Sequence, residues 1–420
     1  MDASVVVVGG GLAGLVAARR LGSRGAEVTL LEREAEVGGR VRSTHEDGYT
    51  FDRGFQVLFT AYPTARRELD YDALDLRRFK PGAVLARPGS RSVLSDPLRD
   101  PRALAESTVN TEVSTLDKLR TLALRRRLSG VDPETLFDGG DQTIRAALLE
   151  RGFSERFVEN FAAPFYGGIT LDRSLSSSAA TFDYTFTMLA RGEIAVPAEG
   201  MGAISRQLAG AAREAGAAIE TGRAVDSVEG DGEGATVVAG DETLAPDAVV
   251  VATDPRTARE LTGVGSIPTE ARGCVTQWYA FDGELDAGRR LLLNADGETP
   301  NHVVDHTAVA PEYAPDGETL LSATFLGEPD ESDEELAART REALSSWYPA
   351  RSLESLSPLH TDRIPFAQFV QPPGFYRERP DVRAPSGPVY LAGDYVEWSA
   401  IQGAMEGGAR AADAVVEDVE

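Results

Sequence analysis

Three glycines, Gly9, Gly11 and Gly14, follow the apolar run at residues 5–8 in the spacing G-x-G-x-x-G. Between a strand and a helix this spacing suits a diphosphate. The first glycine permits the tight turn, the second lets a pyrophosphate approach the backbone, and the third lets the helix pack on the strand. Leu12 and Ala13 open a helical pattern with Leu15, Ala18 and Leu21 on one face. The N–H groups of that first turn, at the positive end of the helix dipole, are donors for phosphate oxygens. Glu32 ends a second apolar run, 18 residues after Gly14. A carboxylate there accepts hydrogen bonds from adenosine ribose hydroxyls and repels a 2′-phosphate. Strand, helix, strand and acid together point to a dinucleotide site on a βαβ unit.

That fingerprint serves NAD and FAD alike, and two further features favour FAD. Gly38-Gly39-Arg40 follows Glu32 and Arg33 by a short loop. Its glycines let the backbone approach a ligand, and Arg40 offers a fork of donors to pyrophosphate or flavin. Near the other end, Gly393-Asp394 follows a buried strand, and Ile401-Gln402-Gly403-Ala404 opens a helix. Asp394 can bond ribityl hydroxyls. The helix N-terminus can face the flavin N1/C2 region, where negative charge collects on reduction.

With these residues in place, the chain resembles the FAD-dependent amine oxidase and phytoene desaturase superfamily. The similarity is carried by residues 5–42, by 221–228 with 247–254, and by 389–412. The resemblance implies an α/β fold: a discontinuous, glutathione-reductase-like FAD-binding domain of Rossmann type with an inserted α+β substrate domain. It implies Val225 at the position whose backbone meets adenine. Amine oxidases of the family place an aromatic cage residue two positions before the glutamate of a Glu-Gly-Ala turn; here those positions hold Ala400 and Gln402. An aromatic cage is how such sites hold a cation, so its loss weighs against an amine substrate. Gly54-Phe55-Gln56, running on to Tyr62-Pro63, is similar to a phytoene desaturase segment, with Gln56 where plant-type members carry histidine. Ala392-Gly393-Asp394-Tyr395 looks like the same branch, and Pro164-Phe165-Tyr166-Gly167-Gly168-Ile169 resembles a motif of its relatives.

The implied chemistry is hydride transfer from a C–H bond of an apolar, isoprenoid or carotenoid-like substrate to flavin N5, with FAD doing the hard step. Gln56, Tyr395 and Gln402 are the candidate catalytic residues; the electron acceptor stays open. The rival readings are a reduced-FAD isomerase, an amine or protoporphyrinogen oxidase, and a non-enzymatic prenyl-binding protein of the same fold. Gly9, Gly11, Gly14, Glu32, Arg40 and Asp394 argue against the last.

The remaining elements follow from hydrophobic period. Strands are expected at 218–220, 224–228, 236–238, 248–252, 275–281, 291–293, 302–305, 320–325 and 389–392, with a turn at 230–234. Helical patterns dominate 61–190, with amphipathic stretches at 100–128 and 141–161. Ser332-Asp333-Glu334-Glu335 is a capping box. The expected division is a FAD-binding domain of 1–60, 191–265 and 355–420, and a substrate domain of 61–190 and 266–354. His302 and His306, four apart on a strand pattern, are read as exposed residues rather than metal ligands, and no metal site is expected. Cys274 is expected to be a small buried side chain.

Composition bounds the partners. Of 420 residues, 67 are acidic and 42 basic, a net charge of −25, and all but two of the basic residues are arginine. Such a surface repels nucleic acid. Acid-rich, lysine-poor chains suit a salt-adapted organism, where salt screens the self-repulsion. One cysteine allows no internal disulfide, which fits a cytoplasmic setting. The start Met1-Asp2-Ala3-Ser4 lacks a basic signal-peptide region, and no apolar run approaches the roughly 20 residues of a membrane span. Arg125-Arg126-Arg127, beside an amphipathic stretch, leaves peripheral membrane contact open.

Overall fold

Residues 5–8 are apolar without alternation because both faces of their strand are covered. In the computed structural model, which describes residues 1–95, 112–231 and 234–419, Ser4–Val8 is the central strand of a five-stranded, all-parallel sheet. The order is Ala218–Thr221, Glu27–Glu32, Ser4–Val8, Ala248–Val251, Val389–Leu391. The helix Leu12–Ser23 packs between the helices Gly202–Glu214 and Ile401–Val419. An antiparallel meander, Ser227–Gly230, Ala235–Ala239 and Glu242–Leu244, meets the sheet at Ala248–Val251. This is the expected Rossmann-type architecture. Residues 224–226 lie ahead of the first meander strand rather than in it, and 232–233 of the expected turn lie outside the described residues.

Close backbone approach holds this layer together. A methyl on Gly14 would fall 2.0 Å from the Gly9 carbonyl oxygen, and one on Gly408 would fall 2.1 Å from the Ala13 carbonyl oxygen. The last helix can therefore lie directly on the first turn of the first one.

The second sheet has seven strands, in the order Ser357–Phe369, Ala271–Phe281, Thr319–Leu326, His302–Asp305, Leu291–Asn294, Ala83–Arg87, Ser90–Leu94. Its alternation is strict where it matters. Val275, Tyr279, Phe281, Val303, Leu321, Ala323 and Phe325 pack on Leu336, Ala337 and Leu344 of the helix Asp333–Trp347. Trp278, Leu291, Leu293, Val304 and Leu320 face the other way, into the core shared with the parallel sheet. The expected capping box is present: Glu335 N donates to Ser332 Oγ (3.3 Å), and Ser332 N donates to the Glu335 carboxylate (2.8 Å).

The structure adds detail to three expectations. Within 61–190 three strands stand among the helices: Leu76–Arg78 and Ala83–Arg87 have partners distant in sequence, and Ser90–Leu94 pairs with the neighbouring Ala83–Arg87. The strand Ser357–Phe369 pairs with Ala271–Phe281, so it joins the seven-stranded sheet although the expected division placed 355–420 with the cofactor part. The pattern at 141–161 breaks into Ile144–Glu150, Glu155–Phe157 and a π-turn at Val158–Ala162. Of the stretch expected at 100–128, residues 100–111 lie outside the described ones, and the helix Thr115–Ser129 forms the rest. Among the described residues no helix is long and apolar enough to cross a membrane.

Candidate active site

The three glycines meet three different demands. Gly9 has φ +107°, and a methyl on it would fall 2.7 Å from the Ala252 carbonyl oxygen, so an L side chain is excluded by both conformation and space. Gly14 is excluded by its contact with Gly9. A methyl on Gly11 would meet nothing within 4 Å: this face of the loop is open, at the start of a helix whose first turn has no side-chain cap. Leu12 and Ala13 are buried around it. Open backbone with unspent N–H donors is what a pyrophosphate requires.

Glu32 is buried, with Oε2 accepting from Gly10 N (2.6 Å) and Oε1 from Glu34 N (2.9 Å). Its carboxylate is thereby aimed at the strand ends beside the glycine loop. The backbone N–H groups of Gly222 and Arg223 donate to the Glu34 and Glu32 carbonyls (both 2.8 Å). They bring the loop that carries Val225 to the same edge. Arg33 is mostly exposed, with only long approaches to Glu34 (3.6 Å) and Asp254 (3.9 Å). Gly38 N donates to the Gly10 carbonyl (2.8 Å), and a methyl on Gly39 would lie 3.4 Å from Gly11 Cα. The two glycine-rich segments form one cradle, and the residues present fit an adenosine diphosphate end.

Arg40 and Asp394, 354 positions apart, form an ion pair at 2.7 Å, and Asp394 also accepts from Ser399 Oγ (3.0 Å). Burial works against the Arg40 charge, but Asp394 outweighs it and holds the guanidinium above its ordinary value. Arg40 Nη1 donates to the Ala367 carbonyl (3.1 Å), which ties the cradle to the edge strand of the second sheet. Gly393 lies under the Tyr395 ring, where a methyl would fall 2.4 Å from the ring edge. Ile401 and Ala404, both half-buried, start a helix with no acid in its first turn, so its positive end is not neutralised. Gly403 is required there: a methyl would fall 2.0 Å from the Trp398 carbonyl oxygen.

The three candidate catalytic side chains are committed elsewhere. Gln56 Nε2 donates to the Arg40 (2.7 Å) and Arg53 (2.9 Å) carbonyls. Tyr395 is fully buried, and its hydroxyl donates to the Val251 carbonyl (3.1 Å). Gln402 accepts from Thr64 N (2.9 Å) and donates to Thr64 Oγ1 (2.7 Å), capping the short helix Pro63–Glu68. Each of the three side chains thus has hydrogen-bond partners within the protein.

Gly54 and Phe55 face the second sheet. Gly54 N approaches Asp362 Oδ2 (3.4 Å), and the Phe55 ring meets His302 at 5.0 Å and His306 at 6.0 Å between centroids. Both histidines are buried, 3% and 2% exposed, against the expectation of exposure. They converge because His302 faces inward from its strand and His306 lies just past the strand's end. Burial pushes His302 down to about 4; burial, with His302 as neighbour, pushes His306 down to about 3. Cys274 is buried as expected, and burial lifts its thiol to about 12.

One buried acid carries no sequence signal. Asp52 accepts from Ser43 Oγ (2.6 Å), Met201 N (2.7 Å) and Tyr313 Oη (3.0 Å). Burial still lifts it to about 6.

The sequence pattern of the flavin containing amine oxidoreductases matches residues 12–416. Protoporphyrinogen oxidase 2 of Arabidopsis thaliana is 30% identical over 164 residues, 39% of this chain and 32% of that protein. A 4,4′-diapophytoene desaturase of Staphylococcus aureus is 48% identical over 54 residues, 13% of this chain and 11% of that protein. The chain thus matches about a third or less of the length of these curated relatives. Among solved structures, putrescine oxidase bound to putrescine superposes with a TM-score of 0.74 at 18% identity, over 99% of both chains.

Proposed function

Since this chain belongs to the flavin-containing amine oxidoreductases, a family of FAD-dependent oxidoreductases, we propose that it dehydrogenates an apolar, isoprenoid-like substrate. The observation that carries this reading is Ala400, which stands where an amine-binding aromatic would be. The short, strong similarity to a diapophytoene desaturase supports the same direction.

The chain's own residues divide the work. The Gly11 face and the first turn from Leu12 bind the pyrophosphate, and Glu32 holds the adenosine ribose. Arg40 and Asp394 flank the path from pyrophosphate to ribityl chain. The helix N-terminus at Ile401 to Ala404 would favour negative charge on a flavin held there. FAD held there supplies the hydride acceptor. Phe55, Trp278 and the two neutral histidines form a wall that orients an uncharged substrate and excludes water. Dehydrogenation removes a hydride, for which FAD would be the acceptor, and a proton from the neighbouring carbon, which passes to solvent or to a base that is not assigned to a side chain.

The protein is proposed to work in the cytoplasm of a salt-adapted organism, touching membranes from the side. Leu116 and Leu119 stand 54% and 58% exposed on the helix that carries Arg125 to Arg127, an entry face for a lipid-dissolved substrate.

The test is purification in molar potassium chloride followed by absorption spectroscopy and release of the chromophore. Bands near roughly 370 and 450 nm with FAD released are expected of the oxidised cofactor. Anaerobic addition of polyene hydrocarbons should then bleach the bands, and primary amines should not. Bleaching by amines alone would replace the proposal with an amine oxidase. Turnover without any acceptor would replace it with an isomerase.

A further inference from the structure

On the side of the seven-stranded sheet that packs toward the parallel sheet, four polar residues form one register row. Asp362 pairs with Thr276, Thr276 with Thr324, and Thr324 with His302, across four neighbouring strands. Thr276, Thr324 and His302 are 0%, 3% and 3% exposed. Thr276 Oγ1, Thr324 Oγ1 and His302 Nε2 have no hydrogen-bond partner among the described residues. Buried polar atoms are normally paired, so three orphans in one row call for a ligand.

The row lies against Gly54 and Phe55. A methyl on Gly54 would meet Ile364 Cδ1 at 2.9 Å and Thr276 Oγ1 at 3.9 Å. Phe55 packs edge-to-face on His302.

The protonation of His302 is fixed by its neighbours. Asn301 Oδ1 accepts from Arg173 Nη1 (3.2 Å), and Asn301 Nδ2 donates to the Pro164 carbonyl (3.0 Å). The amide orientation is therefore set, and its second N–H points at His302 Nδ1 (3.0 Å). Nδ1 must accept, so the neutral ring carries its proton on Nε2. A methyl on Gly168 would fall 2.8 Å from Asn301 Nδ2. The Pro164 to Gly168 motif, which had no role in the sequence reading, thus supplies both the acceptor and the space that hold this tautomer.

We propose that His302, Thr324 and Thr276 form a subsite for one uncharged oxygen acceptor, a carbonyl or hydroxyl, on an otherwise apolar substrate. His302 presents a fixed N–H donor, and the two threonine hydroxyls rotate to donate or accept. The row holds no cation to balance a carboxylate, and Asp362 at its far end repels one. This proposal rests on the apolar-substrate reading and narrows it.

The test is calorimetric titration of the FAD-loaded protein with geranylacetone, the hydrocarbon of the same skeleton, and geranylamine. Binding of the ketone at least tenfold tighter than the hydrocarbon is expected. His302→Phe should remove that preference while hydrocarbon affinity holds, and Thr324→Val should reduce it about threefold. Since Thr324→Val replaces an unpaired hydroxyl by a methyl, its melting temperature should stay level or rise. It tests the row even where His302→Phe fails to fold. Equal binding of ketone and hydrocarbon would mean that water alone serves the row, ending this proposal while the apolar reading stands. Binding of neither would end both. Tightest binding of the amine, or a ketone preference that survives both substitutions, would also overturn the subsite.

Discussion

His302 and His306 stay neutral because burial removes the solvation of the charged ring. An unfolded histidine titrates near 6.5. Below that value the unfolded chain takes up protons that the folded chain refuses until about pH 4 and 3 respectively. Stability therefore falls as pH drops through this window. Asp52 acts in the opposite sense: its folded value of about 6 lies above the unfolded one, so the folded state binds the proton first and gains stability as pH falls toward 4. Two histidines outweigh one acid, so net acid lability below about pH 6 is expected in denaturant titrations run at several pH values. His306→Gln should recover about 2 kcal/mol at pH 4.5 relative to its effect at pH 7.5. Asp52→Asn should abolish the opposing limb, with about 1–2 kcal/mol gained above pH 6 relative to pH 4. Neither histidine's burial was legible in the sequence. The strand was, but which of its faces meets Phe55 depends on a register set by partners up to 22 residues away, Thr324 opposite His302.

At the scale of elements, the cradle depends on helices that touch backbone to backbone. Gly408→Leu would force the last helix off Ala13. It should lose FAD from the purified protein and lower the melting temperature, at a cost of about 1–3 kcal/mol from overpacking. Gln402→Ala tests a cap instead. It strips the first turn of Pro63–Glu68 of its acceptor and leaves the buried Thr64 N–H unpaired, while Thr64 Oγ1 keeps Glu406 and Arg67, for about 1–2 kcal/mol in thermal or denaturant unfolding. The role of Gln402 could not be read from its motif, because the helix it caps lies 338 positions away. The first strand–helix–strand unit was legible because its turn, helix and acid lie within 32 residues. The second sheet was legible only as separate strands. Ala83–Arg87 finds its parallel partner at Leu291–Asn294, and no local signal announces a pairing over that separation.

At the scale of the molecule, a charge of −25 sets the response to salt. Self-repulsion among exposed carboxylates is screened over about 10 Å at 0.1 M and about 3 Å at 1 M. The melting temperature should rise steadily between 0.1 and 2 M potassium chloride, and an unchanged value would remove salt adaptation from the proposal. The same charge sets the membrane prediction. Neutral phosphatidylcholine vesicles should sediment with the protein, and Leu116→Ser with Leu119→Ser should abolish the association.

The candidate cofactor end was legible in the sequence itself. Gly9, Gly11, Gly14, Gly38 and Gly39 count through backbone conformation and close approach, Glu32 and Arg40 through side chains at short spacings, which a linear chain states directly. So was Ala400, on which the apolar-substrate proposal rests. Tertiary structure alone decided the rest. It joined Arg40 to Asp394, turned Gln56, Tyr395 and Gln402 into supports for backbone, and aligned His302, Thr324 and Thr276 in one buried row. The Arg40–Asp394 pair, the Tyr395 and Gln402 bonds and the register row each bring together segments far apart in sequence, and such meetings are settled by the packing of the two sheets and not by any local pattern.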